Sequence, residues 1–496
     1  MLLTPGITCW RTARADRMAV LMDSAAYFAA IKAAMLGARR SIHLLGWAFD
    51  PATRLTPDEE GEGVAAGPFL RDLALARPEL DVRVLIWKSA LPIAASQHFF
   101  PHRARRCFEG TPVHFRLDAS VPLGACHHQK VLVIDDALAF CGGGDIGADR
   151  WDSQAHKDDE PRRTMPWGER HGPRHEVMAM VDGPAARLLG ELVRERWRRA
   201  CGEAPPKPAA AKPDRDPWLD FVTPEFEARD IALARTEPDW RDRPEVCEIE
   251  RLHMASIAAA QRLIYLENQY LTSPLVAEAL ARRLAEPDGP EVVIVSTAVA
   301  PSWFDRMTMD RTRSRVLERL KAADRHGRFR AFCPHTRQGR PIIVHSKVTI
   351  IDDRLLRIGS ANLNNRSMGF DTECDLVVDA GGEAADAGAR AEVARVRARL
   401  IGHFLGRQGE DFAAAYAELG GAGKAIDALD DGPARRLRPL EPQSLGPLAR
   451  VIAAFHLGDP AEPKDSWRPW RRRADLEAEQ RLFLSASPGA DGRGGR

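Results

Sequence analysis

The chain has 496 residues, of which 44% are hydrophobic and 28% charged, and its formal net charge is +1. This length suffices for two core-forming domains, and the near-zero charge argues against a protein that binds nucleic acid through a global basic field. Eight scattered cysteines without a CxxC pair indicate buried thiols in a reducing compartment rather than a disulfide framework.

The N-terminal residues lack the basic and apolar regions of a secretory signal. No window approaches the roughly 20 apolar residues that a membrane-spanning helix needs. We therefore expect a cytoplasmic protein, and peripheral contact with the inner face of the membrane stays open.

The first half of the chain alternates predicted helices and strands. After a strand-bearing lead-in over 1–22, helical spacing of apolar residues predicts a helix over 24–40 with Ser24 as its N-cap. Buried-strand patterns follow at 41–47, 81–87 and 113–117, with a helix near 69–75. The apolar run 131–134 then predicts a buried strand that carries His128 and Lys130 at its start.

The second half repeats this order. Helices at 248–260 and 274–285 alternate with strands at 263–270, 291–296 and 328–332, and a further strand carries His345 and Lys347. Strands that alternate with helices predict an α/β layered fold. Two copies in matching order predict an internal duplication, with a first domain over 1–203, a Pro/Ala-rich linker over 204–219, a second domain over 220–410 and a partly disordered C-terminal extension over 411–496.

One short pattern occurs in both halves, as His128-Gln129-Lys130 followed by Asp135 and as His345-Ser346-Lys347 followed by Asp352. A His and a Lys two positions apart on a strand share one face, where burial is costly without a compensating anion. A metal ion is disfavoured there, because a charged lysine offers no lone pair. We therefore predict no metal ligand and no cofactor for this pattern.

The pattern favours attack on a phosphodiester. Imidazole can act as nucleophile, base or acid near neutral pH, and lysines stabilise the charge that grows on non-bridging oxygens. Ser360 and Asn362 would add neutral donors to the phosphate. Asp135 and Asp352 remain catalytic candidates, although each begins an Asp-Asp turn and its odd offset favours a structural role equally well.

The repeated His-x-Lys-x4-Asp pattern resembles the duplicated HKD motif of the phospholipase D superfamily. The resemblance continues in the stretches 143–152, 265–270 and 359–367, and it covers about residues 7–405. It is closest in type to bacterial phospholipase D and transphosphatidylase. It implies two similar α/β/α sandwich domains with mixed sheets, related by a pseudo-twofold axis, with the active site at their interface.

The resemblance also implies residue roles and a two-step reaction. His128 would form a covalent phosphohistidine while His345 protonates the leaving alcohol and then activates water or another alcohol. Lys130, Lys347 and Asn362 would bind the phosphate. By position Glu373 would orient the histidine of the other copy, and Glu176 would do the same although an Asp is usual at its place. The catalytic chemistry would be independent of metal and calcium.

The first copy departs from the second, because Gly143 and Asp145 stand where the second has Ser360 and Asn362. An aspartate beside a phosphodiester is repulsive unless it is paired or turned away. The two halves would therefore have distinct roles.

We expect hydrolysis or transphosphatidylation of phospholipids, with water or an alcohol as acceptor. Cardiolipin synthesis is the alternative, and the near-zero net charge disfavours a nuclease and a nucleic acid partner. Three aromatic or apolar segments, 92–94, 303–304 and 467–473, are candidates for membrane contact. The oligomeric state stays open.

Overall fold

The computed structural model describes residues 2–58, 62–89, 100–208, 216–300, 302, 305–381, 386–443 and 458–460. The three segments suggested for membrane contact lie outside the described residues. None of the helices within the described ranges combines the length and the apolar character that crossing a bilayer requires.

Most of the predicted elements are present. The strands are β1 (Arg11–Met22), β2 (Ser41–Gly46), β3 (Asp81–Trp87), β4 (His114–Asp118), β5 (Val131–Ile134), β6 (Leu138–Gly142), β7 (Arg174–His175), β8 (Val177–Asp182), β9 (Phe226–Glu237), β10 (Val246–Cys247), β11 (Leu263–Glu267), β12 (Glu291–Val295), β13 (Phe329–Pro334), β14 (Ile343–Val344), β15 (Val348–Ile351), β16 (Leu355–Gly359), β17 (Glu373–Asp379) and β18 (Leu437–Pro439). The α-helices are α1 (Ser24–Gly37), α2 (Ala66–Ala76), α3 (Phe100–Phe108), α4 (Gly183–Cys201), α5 (Glu248–Ala259), α6 (Pro274–Ala285), α7 (Arg311–Ala323), α8 (Ala387–Leu405), α9 (Gly409–Leu419) and α10 (Ala422–Leu429), and Arg306–Asp310 and Arg366–Phe370 form π-helical turns.

The strands of the two halves follow the same order. Outward from the centre, the first half runs β1-β8-β6-β5-β2-β3-β4 and the second runs β9-β17-β16-β15-β11-β12-β13. In each half three strands are parallel, β2-β3-β4 and β11-β12-β13, and the rest of this path is antiparallel. The antiparallel ladder between β1 and β9 joins both halves into one sheet of 16 strands. The predicted α/β class with mixed sheets is thus confirmed.

Helices cover both faces of this sheet. On one face, α1 to α3 pack on the first half and α5 to α7 pack on the second. On the other face, α4 and α8 to α10 share a single core with apolar residues of both halves. This shared core holds the two halves together.

Three features differ from the sequence-based expectations. β1 lies at the centre of the sheet rather than in a lead-in, and the N-cap position of α1 is Asp23, so that Ser24 is the first residue of the helix. Both His–Lys segments precede the strands that were expected to contain them, because β5 begins at Val131 and β15 at Val348. Beyond the second half, α9, α10 and β18 are folded, and β18 pairs antiparallel with β13.

Candidate active site

The two His–Lys segments meet where the halves join. The backbone N–H of His128 donates to the carbonyl of Thr372 at 2.9 Å, and that of His345 donates to the carbonyl of His175 at 2.8 Å. A short parallel ladder between β7 and β14 lies directly ahead of the second contact. Each segment therefore pairs with the backbone of the other half, and the residue that accepts the hydrogen bond directly precedes a glutamate.

These backbone contacts place each histidine against a carboxylate of the other half. His128 Nδ1 lies 3.1 and 2.9 Å from the two oxygens of Glu373. His345 Nδ1 lies 3.1 Å from Glu176 Oε1, but without hydrogen-bond alignment, and within the described residues neither oxygen of Glu176 has a hydrogen-bond donor. Both contacts that the resemblance implied are present, and the orienting role itself stays a prediction.

Two serine hydroxyls fix the carboxylate of Glu373. Ser360 Oγ donates to Oε2 at 2.5 Å and Ser367 Oγ donates to Oε1 at 2.6 Å. Ser360 is fully buried and its Oγ also accepts from the N–H of Cys374 at 3.0 Å. This contact disfavours the prediction that Ser360 binds the substrate phosphate, because its hydroxyl already donates to Glu373.

The equivalent position in the first half can hold only glycine. A Cβ on Gly143 would lie 2.9 Å from the carbonyl oxygen of His345 and 3.2 Å from Cδ of Lys347. The backbone of the second motif thus occupies the space that a serine side chain would need.

The two lysines have different surroundings. Lys130 Nζ lies 3.1 Å from Asp145 Oδ2, while Asp145 Oδ1 accepts from the N–H groups of Trp47 and Ala48 at 3.0 and 3.2 Å. Asp145 is therefore paired, which removes the repulsion expected of it. Lys347 Nζ donates to the carbonyl of His345 at 2.5 Å, and among the described residues no carboxylate reaches it at ion-pair distance.

Burial sets the protonation of these groups. It lowers the pKa of His128 and of His345 well below the usual value, and the nearby lysines lower both further. Both imidazoles are therefore neutral at pH 7. Burial also lowers the pKa of Lys347 to about 7. Burial raises the pKa of Glu373 to about 7, although the hydrogen bonds from Ser360 and Ser367 act to lower it.

Asn362 lies beside the residues that fix Glu373. Its N–H donates to Ser367 Oγ at 3.0 Å, and its buried Oδ1 has no hydrogen-bond partner within the described residues. Binding of phosphate by Lys130, Lys347 and Asn362 stays a prediction.

Asp135 and Asp352 lie away from this site, a position that disfavours the prediction that they are catalytic residues. Each follows its strand at the end away from the histidine, about 13 Å along a four-residue strand. Each has a positive φ, 56° and 54°, and accepts three backbone N–H groups that lead into a neighbouring strand. The donors are Arg39, Arg40 and Ser41 for Asp135, and Gln261, Arg262 and Leu263 for Asp352.

Two residues near the histidines were missed as site candidates. Ser367 holds Glu373, and Arg150 Nη1 lies 3.5 Å from Glu176 Oε1 and contributes to the lowered pKa of His345. Both stand in stretches that carry the family resemblance, and this resemblance could have identified them as site candidates.

Comparisons with known proteins agree with this geometry. A family model described as "Cardiolipin synthase, PLD-like domain" matches residues 254–391. The chain is 22% identical over 484 residues to phospholipase D alpha 1 of Ricinus communis, covering 70% of this chain and 59% of that protein. It is 26% identical over 325 residues to cardiolipin synthase A of Pseudomonas putida (strain W619), covering 63% of this chain and 57% of that protein.

The chain thus matches less than two thirds of the length of these curated relatives. Among solved structures, the crystal structure of phosphatidylserine synthase from Haemophilus influenzae Rd KW20 superposes with a TM-score of 0.53 at 14% identity. The superposition covers 82% of this chain and 93% of that one, which shows a common fold.

Proposed function

Because the chain belongs to the phospholipase D superfamily, we propose that it transfers the phosphatidyl group of glycerophospholipids to water or to an alcohol. The observation that carries the proposal is the crosswise contact of His128 with Glu373 and of His345 with Glu176, which builds one site from both halves. The curated relatives named phospholipase D and cardiolipin synthase support a phospholipid as the substrate.

In the first step, His128 attacks phosphorus through Nε2, because its Nδ1 faces Glu373. The P–N bond forms as the bond from phosphorus to the head-group oxygen breaks, and that oxygen takes a proton from His345. His345 is neutral in the free site, and the negative charge of a bound phosphodiester raises its pKa so that it can carry this proton.

In the second step, His345 takes a proton from water or an alcohol, whose oxygen attacks the phosphohistidine. The P–N bond breaks, and phosphatidic acid or a new phospholipid is released. Lys347, which has no carboxylate at ion-pair distance among the described residues, is the principal cation for the non-bridging oxygens. Lys130 and Asn362 assist from the opposite copy and from the segment after β16.

A product assay tests this function. The purified protein is incubated with phosphatidylcholine, phosphatidylethanolamine or phosphatidylglycerol, with and without butanol, and the products are identified by mass. We expect phosphatidic acid plus free head group, and a phosphatidylalcohol when butanol is present. The double variant His128→Asn/His345→Asn measures the background. Equal, background-level product from both proteins on every lipid would contradict the proposal.

Cardiolipin synthesis is the second candidate, favoured by the family model over 254–391. The first step is the same, and the acceptor is a hydroxyl of a second phosphatidylglycerol. Formation of cardiolipin from phosphatidylglycerol alone, faster than formation of phosphatidic acid, would favour it over hydrolysis.

A further inference from the structure

Three histidines and an aspartate converge beside the catalytic residues. Asp23 stands at the N-cap position of α1, His156 lies in the loop after β6, His175 ends β7, and His403 is in the last turn of α8. One nitrogen or oxygen of each side chain lies within 4.8 Å of those of the other three. Their side chains are at most 7% exposed.

Three of these atoms form a triangle of the size that a metal ion requires. His156 Nε2 lies 3.1 Å from His403 Nε2, which is also hydrogen-bond distance, and Asp23 Oδ2 lies 3.6 Å from the first and 3.5 Å from the second. Ligands held at about 2.0–2.1 Å around a tetrahedral zinc ion are about 3.3–3.4 Å apart. The three distances bracket this value.

One carboxylate oxygen of Asp23 accepts no hydrogen bond from the described residues. Oδ1 accepts from His175 Nδ1 at 2.9 Å and from the N–H of Glu176 at 3.2 Å. Oδ2 is buried and has no hydrogen-bond donor within the described residues. A buried carboxylate oxygen without a partner is costly, and a bound cation would remove that cost.

The partners of His156 suit a metal ligand. Its Nδ1 lies 2.8 Å from Asp152 Oδ2, and Asp152 is fully buried and lies 3.3 Å from Arg163 Nη1. A carboxylate at one ring nitrogen fixes the tautomer, which turns the lone pair of the other nitrogen toward a metal.

The backbone at two of the three positions is strained. Asp23 has φ 67° and ψ 154°, and His156 has φ 39°. Such conformations cost non-glycine residues about 1–3 kcal/mol each. They persist where the surrounding structure enforces them, and they cluster at functional sites.

We propose that Asp23, His156 and His403 bind one divalent transition-metal cation, zinc by the chemistry of its nitrogen and oxygen donors, with His175 orienting Asp23. The cation would connect a loop of the first half to α8 of the second half.

The site would also support the second motif. His175 Nε2 lies 3.1 Å from Glu267 Oε2, which accepts from Ser346 Oγ at 2.7 Å between His345 and Lys347. The cation therefore stabilises this arrangement and takes no part in the reaction. The expectation of no metal concerned the His–Lys pattern, and positions 23, 156, 175 and 403 form no spacing motif that could be read in the sequence.

The test uses the 496-residue chain and metal readouts alone, so it is independent of the proposed function. We expect about one equivalent of zinc per chain by mass spectrometry. After removal of metal with dipicolinate, Zn²⁺ should raise the melting temperature, and Co²⁺ should give the visible absorption of a low-coordinate site. His403→Ala should lose both responses. The matched control is His253→Gln, at a buried histidine whose ring nitrogens have no hydrogen-bond partner among the described residues, and it should keep both responses.

Failure of the wild type to hold zinc and to bind either ion would overturn the proposal, as would unchanged binding by His403→Ala. If that variant does not fold, His403→Cys provides a second measurement. A thiolate ligand should add a sulfur-to-cobalt charge-transfer band in the near ultraviolet. Bound Co²⁺ without this band would also overturn the assignment of position 403.

Discussion

The two His–Lys copies share their spacing but hold their partners differently. Glu373 contacts His128 through both oxygens and is fixed by two serine hydroxyls. Glu176 contacts His345 through one oxygen and has no hydrogen-bond donor within the described residues. The lysines differ in the opposite sense, because Lys130 lies 3.1 Å from Asp145 whereas Lys347 has no carboxylate at ion-pair distance in the described part of the chain.

The two copies thus differ at a few positions that set the surroundings of their histidines and lysines. Ser360 in the second half and Gly143 in the first decide which carboxylate is fixed by a hydroxyl. A rigidly held imidazole suits a nucleophile, which must keep one nitrogen directed at phosphorus. The imidazole of His345, whose Nδ1 lies 3.1 Å from Glu176 Oε1 and 3.1 Å from Lys347 Nζ, suits a group that gains and loses a proton in each cycle. The asymmetry therefore favours His128 as the nucleophile.

The largest effect is expected from removing either histidine. His128→Asn and His345→Asn should each lower turnover by at least about 10³-fold, because nucleophile and proton donor are both required. Rapid quenching with labelled lipid should trap an acid-labile phosphohistidine on the wild type and none on His128→Asn. Turnover within about tenfold of the wild type in either variant would contradict the mechanism.

The glutamates test the comparison directly. Glu373→Gln should lower kcat by about 10³-fold, since a neutral partner no longer fixes the productive tautomer of His128. Glu176→Gln should lower it only about tenfold, because this contact has no hydrogen-bond alignment. The measurement is kcat at one pH for both variants. Equal losses would show that the two copies hold their histidines equally well.

The two lysines should contribute differently to the binding of a soluble dialkyl phosphate. The single negative charge of this ligand does not change between pH 6 and 9. Burial lowers the pKa of Lys347 to about 7, so its charge is present below this pH and is lost as pH rises through it. Affinity of the wild type should therefore fall as pH rises. Lys347→Met should weaken binding about tenfold at pH 6 and flatten the pH dependence. Lys130→Met should weaken binding less and keep the fall of affinity with rising pH. A larger loss of affinity in Lys130→Met than in Lys347→Met would contradict the argument that Asp145 pairs with Lys130.

The smallest effect on activity is expected at the two turn aspartates. Asp135→Ala and Asp352→Ala should each leave kcat within about twofold of the wild type, because neither lies in the site. Each should lower the free energy of unfolding by about 1–3 kcal/mol through the loss of three backbone hydrogen bonds. Denaturant titration and turnover of the same preparations check both statements. A large loss of kcat with unchanged stability would return these residues to the catalytic set.

Features that depend on local pattern were predictable from the sequence. The strand predicted at 81–87 is β3, Asp81–Trp87, and the helix predicted at 274–285 is α6, Pro274–Ala285, because periodicity of apolar residues reports burial along one element. The contact of Glu373 with His128 followed from the resemblance to a family. What could not be predicted depends on contacts distant in sequence, such as Ser360 turning to Glu373 and His128 pairing with the backbone at Thr372.

The crosswise contacts also limit how the protein can move during turnover. Each histidine takes its carboxylate from the other half, and the β7–β14 ladder and the β1–β9 ladder tie the same halves together. A hinge that opened the molecule between the halves would separate both catalytic pairs and break both ladders at once. In the proposed reaction, lipid would therefore reach the histidines, and product would leave them, without separation of the two halves.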